Sequence, residues 1–452
     1  MDKGKTLALA GAGVLTAAIA AALLAPPRRS VTTSSAEAYR EYLAGREDAR
    51  RIYVGDAERH MNAALRQDPG FVMAMVSLAE MKLFGDPAAA RMWLSRANAG
   101  RDRVTRRERL ALDLTRAWSE RRLDEATRIA LTLKNDYRDE RGYNFLGNRA
   151  SEQGQTAEAN AIYREWLASN PNNAAPYNLL GYSAAYRGDY ADAISNLKKY
   201  AFLAPDEANP LDSLGEIEAA NGRYEDAIRD LHKALAIKPD FYPSLDHLGV
   251  AYTGKGDFAA ARTALEAAER GYANSPGQRA LVLLDLAYLA HRQKDVAFER
   301  EVVDRAAAID LGRDTGDYSP LLRAVLASDE GRYDDAIAAW KSYAMPSKID
   351  DKTRELFRRS AGRVRGLIEF QAGHSAEASE WLARSLPEPG RESSLQDQAG
   401  CLRARAYLAR LKAKQGDLAG AEALLAVNRR FNPRNPETLE AAAEVAALRK
   451  GA

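Results

Sequence analysis

The 452-residue chain holds a single cysteine, Cys401, so no intrachain disulfide can form and no site built from several thiolates is available. Histidine is nearly as scarce. His60, His232, His247, His291 and His374 stand singly, with no HExxH or other ligand pair at helical spacing, which excludes the common zinc motifs. An excess of charge of one sign is missing too: 65 Lys and Arg against 63 Asp and Glu leave a formal net charge of +2, too little to draw the molecule to nucleic acid. No long Gly/Ser or Pro-rich linker divides the chain, which argues for one extended architecture. What is present, 46% hydrophobic and 28% charged residues, is the composition of a packed helical protein.

Long uncharged runs are limited to one. Residues 6–25, TLALAGAGVLTAAIAAALLA, carry no charge over twenty positions, enough at about 1.5 Å per helical residue to cross a hydrocarbon core of about 30 Å. Lys3 and Lys5 precede the run and Pro26, Pro27, Arg28 and Arg29 follow it. A cleavable signal peptide is the alternative, with Ala20 and Ala22 as small residues near its end. The run exceeds the usual ~7–15 residues of such peptides and Pro26 is a poor cleavage neighbour, which favours an uncleaved single-pass membrane anchor over residues 1–29. Basic groups at both ends leave the orientation open, with a lean towards an extracytoplasmic remainder. FVMAMVSLAEMKLF at 71–84 is too short for a second span and contains Glu80 and Lys82, so it is expected in a helical core.

A strict period organises the middle of the chain. Gly147, Gly181, Gly215 and Gly249 recur every thirty-four residues, as do Gly154, Gly188, Gly222 and Gly256, Ala159, Ala193, Ala227 and Ala261, and Pro171, Pro205 and Pro239. Each class has a physical reason. The first glycine and the alanine allow two antiparallel helices to cross closely, the second glycine ends the first helix in a left-handed cap, and the proline stops the second helix. Ser34 with Glu37 and Thr105 with Glu108 read as capping boxes at helix starts.

YNLLGYSAAYRGDYADAISNLKKYAFLAP and LDSLGEIEAANGRYEDAIRDLHKALAIKP resemble tetratricopeptide repeats, with the Leu-Gly, Tyr, Ala and Pro positions in place. Degenerate copies near residues 60, 335, 375 and 420 extend the pattern to about eleven units over 30–435, most regular at 140–275. The resemblance implies an all-α fold, a right-handed superhelix of antiparallel helix pairs, and the segment 436–452 reads as a C-terminal capping helix. More loosely, residues 34–270 are similar to the repeat portion of bacterial serine/threonine kinases and adenylate cyclases, without their catalytic domain.

No residue constellation for catalysis appears, and neither cofactor nor metal is expected. Gly4-Lys5-Thr6 lacks the rest of a phosphate loop, and Cys401 reads as a small buried side chain in AGCLRARAYLARL. Arg101, Arg103, Arg106, Arg107 and Arg109 are interleaved with Asp102 and Glu108 and carry no aromatic ladder, so a solvated helix face is expected.

Function should then sit in the groove of the repeats. The resemblance places groove-facing positions at Arg141, Asn144, Asn148, Asn178, Tyr182, Tyr186, Asp212, Glu216, Asp246 and His247. Asparagine can pair with an extended peptide backbone and tyrosine offers flat contact area, which suits a protein or peptide partner. Asp212, Glu216 and Asp246 make the next stretch acidic, so a partner segment carrying Lys or Arg is expected. The alternative is a sensory module holding a small ligand between repeats. A deep pocket favours that alternative and an open groove the scaffold.

Overall fold

The structure, a computed structural model, describes residues 30–83, 85–309, 317–346, 349, 351–389 and 394–451. The apolar segment 6–25, expected to anchor the chain, lies outside them. Among the described residues no helix is long and apolar enough to cross a membrane. Those residues form twenty-three α-helices, one 3₁₀ turn and no strand, an all-helical solenoid of the tetratricopeptide type. Contacts divide the chain into two units, one running to Ala49 and from Val54 to Ile129, the other holding Arg50–Tyr53 and everything from Ala130 onward.

The first unit contains α1 (Ala36–Arg50), α2 (Val54–Gln67), α3 (Val72–Lys82), α4 (Pro87–Asn98) and α5 (Arg106–Ser119), while α6 (Leu123–Tyr137) runs from this unit into the next. The apolar run at 71–84 forms α3, whose residues from Val72 to Ala79 are all buried. Burial on every side explains why that sequence shows no polar stripe. The box at Thr105 forms as expected: its hydroxyl accepts from the Glu108 amide at 3.3 Å and Glu108 accepts from the Thr105 amide at 2.9 Å. Glu108 also receives the amide and hydroxyl of Thr32, at 2.6 and 2.8 Å. The box at Ser34 does not form. The cap is Ser35, which accepts from the Ala38 amide at 3.1 Å, because the Asp68 carboxylate draws the Ser34 amide (2.9 Å) and the Thr33 hydroxyl (2.6 Å) away from the helix.

In the second unit the helices come in antiparallel pairs: α7 (Glu140–Glu152) with α8 (Thr156–Ser169), α9 (Ala175–Tyr186) with α10 (Tyr190–Leu203), α11 (Ala208–Ala220) with α12 (Tyr224–Ile237), and α13 (Tyr242–Lys255) with α14 (Phe258–Gly271). Beyond the strict period follow α15 (Pro276–Gln293) with α16 (Val296–Ala307), α17 (Ser319–Asp329) with α18 (Tyr333–Ser342), α19 (Asp351–Gln371) with α20 (Ser375–Arg384), and α21 (Leu395–Lys414) with α22 (Leu418–Phe431). The last helix, α23 (Pro436–Gly451), packs on α21 and α22 and buries Ala441 and Val445.

The periodic residues act as their chemistry requires. A Cβ at Gly181 would lie 2.8 Å from Leu197 and one at Gly249 2.3 Å from Leu265, while Ala159, Ala193, Ala227 and Ala261 are fully buried at the helix crossings. Gly188 and Gly222 turn the chain between helices at φ of 74° and 78°. Lys294 takes the same left-handed place after α15 at φ 56°, a conformation that costs a residue with a Cβ about 1–2 kcal/mol. Lys294→Gly is therefore expected to raise stability in urea unfolding by about 1 kcal/mol. A loss instead would mean that the exposed lysine side chain makes a contact worth more than the strain.

The C-terminal pair does more than end the stack. The Gln398 amide donates to the carbonyls of Ala185 and Tyr186 at 3.0 and 3.3 Å and accepts from the Tyr190 hydroxyl at 2.8 Å. The side chain of Asn221 donates to the Phe431 carbonyl at 2.8 Å, and Arg434 grips the Glu225 carboxylate at 2.5 and 3.1 Å. Tyr288 on α15 donates to Glu437 at 2.5 Å. Residues 398–437 thus dock on the turns of the α9/α10 and α11/α12 pairs and on α15.

Candidate functional site

The first helices of the regular pairs, α9, α11, α13 and α15, touch one another directly from pair to pair, so they form the inner layer of the stack. Side chains on that layer share one face. Tyr182 and Tyr186 lie one helical turn apart on α9, with ring centroids 6.2 Å apart. The Tyr182 hydroxyl donates to the Glu216 carboxylate of α11. Asp212, one turn before Glu216, accepts from the Ser244 hydroxyl at 2.7 Å and contacts His247 Nδ1 at 3.0 Å. His247 Nε2 is 3.7 Å from Glu216. Beside it, Asp246 Oδ1 is buried and makes no hydrogen bond.

Six of the expected groove residues therefore form one network: Tyr182, Tyr186, Asp212, Glu216, Asp246 and His247. The others are arranged differently. The Asn148 amide donates to Asn144 at 3.0 Å while its oxygen accepts from the Tyr163 hydroxyl at 2.9 Å, so this pair is partly used within its own repeat. Asn144 is exposed, and Asn178 Oδ1 is buried without a partner. Arg141 sits at the start of α7, 3.7 Å from the Asp139 carboxylate. Asp212 differs from expectation as well: it is a buried carboxylate bound to Ser244 and His247, not a surface charge awaiting a partner.

The electrostatics follow from the packing. Burial alone would lower the pKa of His247, but the carboxylates of Asp212 and Glu216, with Asp246, hold it up at about 10, so it is an imidazolium at neutral pH. Burial raises Asp246 to about 6, against the opposing pull of His247. Burial beside Asp246 raises Asp285 on α15 to about 8, so this acid keeps its proton at neutrality.

Asp285, Tyr288 and Arg403 extend the inner layer and have no counterpart among the residues expected from sequence. A signal for the first two exists. Tyr182 stands six residues before Gly188, and Tyr288 six before Lys294; His247 stands nine before Gly256, and Asp285 nine before Lys294. The lysine in the glycine place hides this copy. Arg403 comes from α21 and lies over the Tyr288 ring at 4.3 Å, a placement that no period announces.

Among solved structures the chain is similar to Cut9–Hcn1 of the APC/C (14% identity, 90% of this chain and 76% of that one, TM-score 0.47). It is also similar to yeast Tom70 (15%, 92% and 96%, TM-score 0.39) and to Pseudomonas aeruginosa pilF (22%, 44% and 87%, TM-score 0.35). No curated protein matches by sequence. Residues 218–283, which run from α11 into α15, match the family model described as the tetratricopeptide repeat, and the chain carries tetratricopeptide repeats.

Proposed function

We propose that the protein is a membrane-tethered interaction scaffold that holds a basic segment of a protein partner on the inner layer of its second unit. The repeat class supports a protein partner, since stacked helix pairs present extended surfaces for binding. The observation that carries the reading is Asp246: a carboxylate oxygen buried on the inner face with no hydrogen bond, flanked by two further carboxylates and a single imidazolium. An incoming ammonium or guanidinium would supply the missing donor. The tether rests on the uncharged run at 6–25, and the extracytoplasmic side on the resemblance to kinase and cyclase repeats. Protease accessibility of a C-terminal tag in intact and opened cells checks that side.

The test uses full-length protein in lipid nanodiscs and a short peptide containing Lys and Arg, with a Glu-substituted peptide of the same length as control. The basic peptide is expected to bind at least about tenfold tighter, to weaken as salt rises, and to lose that margin in Asp246→Asn. A cation beside Asp285 favours its charged form, so binding at pH 7 should release protons, seen as a dependence of the calorimetric heat on buffer ionisation. Equal affinity for the two peptides would overturn the reading.

A second reading, a sensory module for a small ligand, is favoured by a cavity deeper in the same unit.

A further inference from the structure

Past the regular repeats, α15, α17, α19 and α21 bound a cavity of about 300 Å³, at the small end of the range for ligand sites. Its walls are mostly aliphatic, with Leu284, Leu322, Val325, Val364 and Leu367 among them. Several of its polar groups are paired with neighbours. Arg363 is 2.9 Å from the Asp397 carboxylate and reaches Cys401 Sγ at 3.4 Å. It lies flat across α21 because Gly400 offers no side chain: a Cβ there would come 2.9 Å from the guanidinium. His291 is paired with Asp329 at 2.5 Å. Burial and the neighbouring Asp329 raise Glu299 to about 9, so it is a neutral acid at pH 7.

Arg403 differs from these. It lines the cavity, packs its guanidinium on Tyr288 at 4.3 Å, and makes no ion pair with any carboxylate among the described residues. The acid whose charge supports it is Glu437, which accepts from the Tyr288 hydroxyl at 2.5 Å. A guanidinium with no direct carboxylate partner among the described residues thus stands at one end of a largely apolar chamber.

We propose that this cavity binds a small free carboxylic acid with an apolar body, its carboxylate on Arg403 and its hydrocarbon part against Leu322, Val325, Val364 and Leu367. A guanidinium makes paired hydrogen bonds to a carboxylate that a neutral amide of the same shape cannot match. The volume suits a molecule the size of an aryl- or alkyl-acid and leaves no room for a lipid. The C-terminus of a peptide carries the same chemistry, but a chain would have to thread the cavity mouth. The proposal does not depend on the reading of the inner layer as a peptide site, which rests on Asp246.

The experiment is calorimetric titration of the full-length protein with phenylbutyrate, with its primary amide, and with the tripeptide Ala-Ala-Leu bearing a free carboxylate. The acid is expected to bind one per chain and at least about tenfold tighter than the amide. Arg403→Met should remove that ratio, and Leu367→Trp, which fills the chamber and leaves the guanidinium in place, should abolish binding of both. Asp246→Asn should leave acid binding unchanged, which separates this site from the one above. Helicity and thermal unfolding confirm that each variant is folded, and the comparison of acid with amide needs no variant. Equal affinity of acid and amide, no binding of either to folded protein, or binding of the tripeptide alone would each overturn the proposal.

Discussion

Gly188→Ala is expected to cost about 2–4 kcal/mol in urea or thermal unfolding, while Gly154→Ala at the equivalent turn costs about 1 kcal/mol. Both glycines adopt the left-handed conformation, at φ of 74° and 75°, so the backbone strain of the substitution is the same. The surroundings differ. A Cβ at Gly154 meets nothing within 4 Å, whereas one at Gly188 would lie 2.9 Å from the Phe431 ring. Phe431 is 1% exposed and held by its carbonyl bond from Asn221, so it cannot step aside cheaply. Phe431→Ala should itself cost about 3–5 kcal/mol. In that background Gly188→Ala should fall back to about 1 kcal/mol, because only the turn strain remains. Equal costs for the two glycines in the wild-type background would show that the C-terminal pair is not docked there in solution.

The same glycines mark the limit of what the sequence discloses. A period reveals what every copy shares, so the helix pairs, their crossings and their turns are legible from Gly147 to Gly256. It hides what one copy does alone. Gly188 and Gly222 carry the turn like Gly154, yet they also receive Phe431 and Asn432, more than two hundred residues later in the chain. No local pattern encodes a contact at that separation. The capping reading shows a smaller version of this: Ser34 has the right spacing to Glu37, and Asp68, just past the end of the next helix, overrides it. At the candidate site the face was legible and its wiring was not. Asp212 reads as a surface acid because its partners, Ser244 and His247, lie on another repeat. Asp285 and Tyr288 were hidden by two departures in one copy: Lys294 stands in the glycine place, and it comes thirty-eight residues after Gly256 where the period is thirty-four.

His247 ties that wiring to stability, and the direction of the effect is fixed by its pKa. The imidazolium is held at about 10 in the fold against about 6.5 in an unfolded chain, so its contribution is complete below pH 6.5 and is lost as pH rises through 10. Asp285 acts in the same direction over a lower window: at about 8 in the fold against about 3.8 in an unfolded chain, its contribution is present below pH 3.8 and lost as pH rises through 8. Asp246, raised to about 6, adds the same sign. The stability of the second unit should therefore decline from pH 6 to pH 10, by about 2–4 kcal/mol for the histidine part. His247→Gln removes the cation and leaves the carboxylates of Asp212, Glu216 and Asp246 facing one another, with an expected cost of about 3–5 kcal/mol at pH 7. That variant should lose the decline between pH 8 and 10, whereas Asp285→Asn should keep it and make the decline between pH 4 and 8 shallower. Restoring stability to His247→Gln by adding Asp246→Asn would confirm that the histidine's role is charge balance, since the double variant has one buried anion fewer to neutralise. A wild-type stability that instead rises towards pH 10 would mean that His247 is neutral in the fold, and the acidic inner layer would then owe its charge balance to another group.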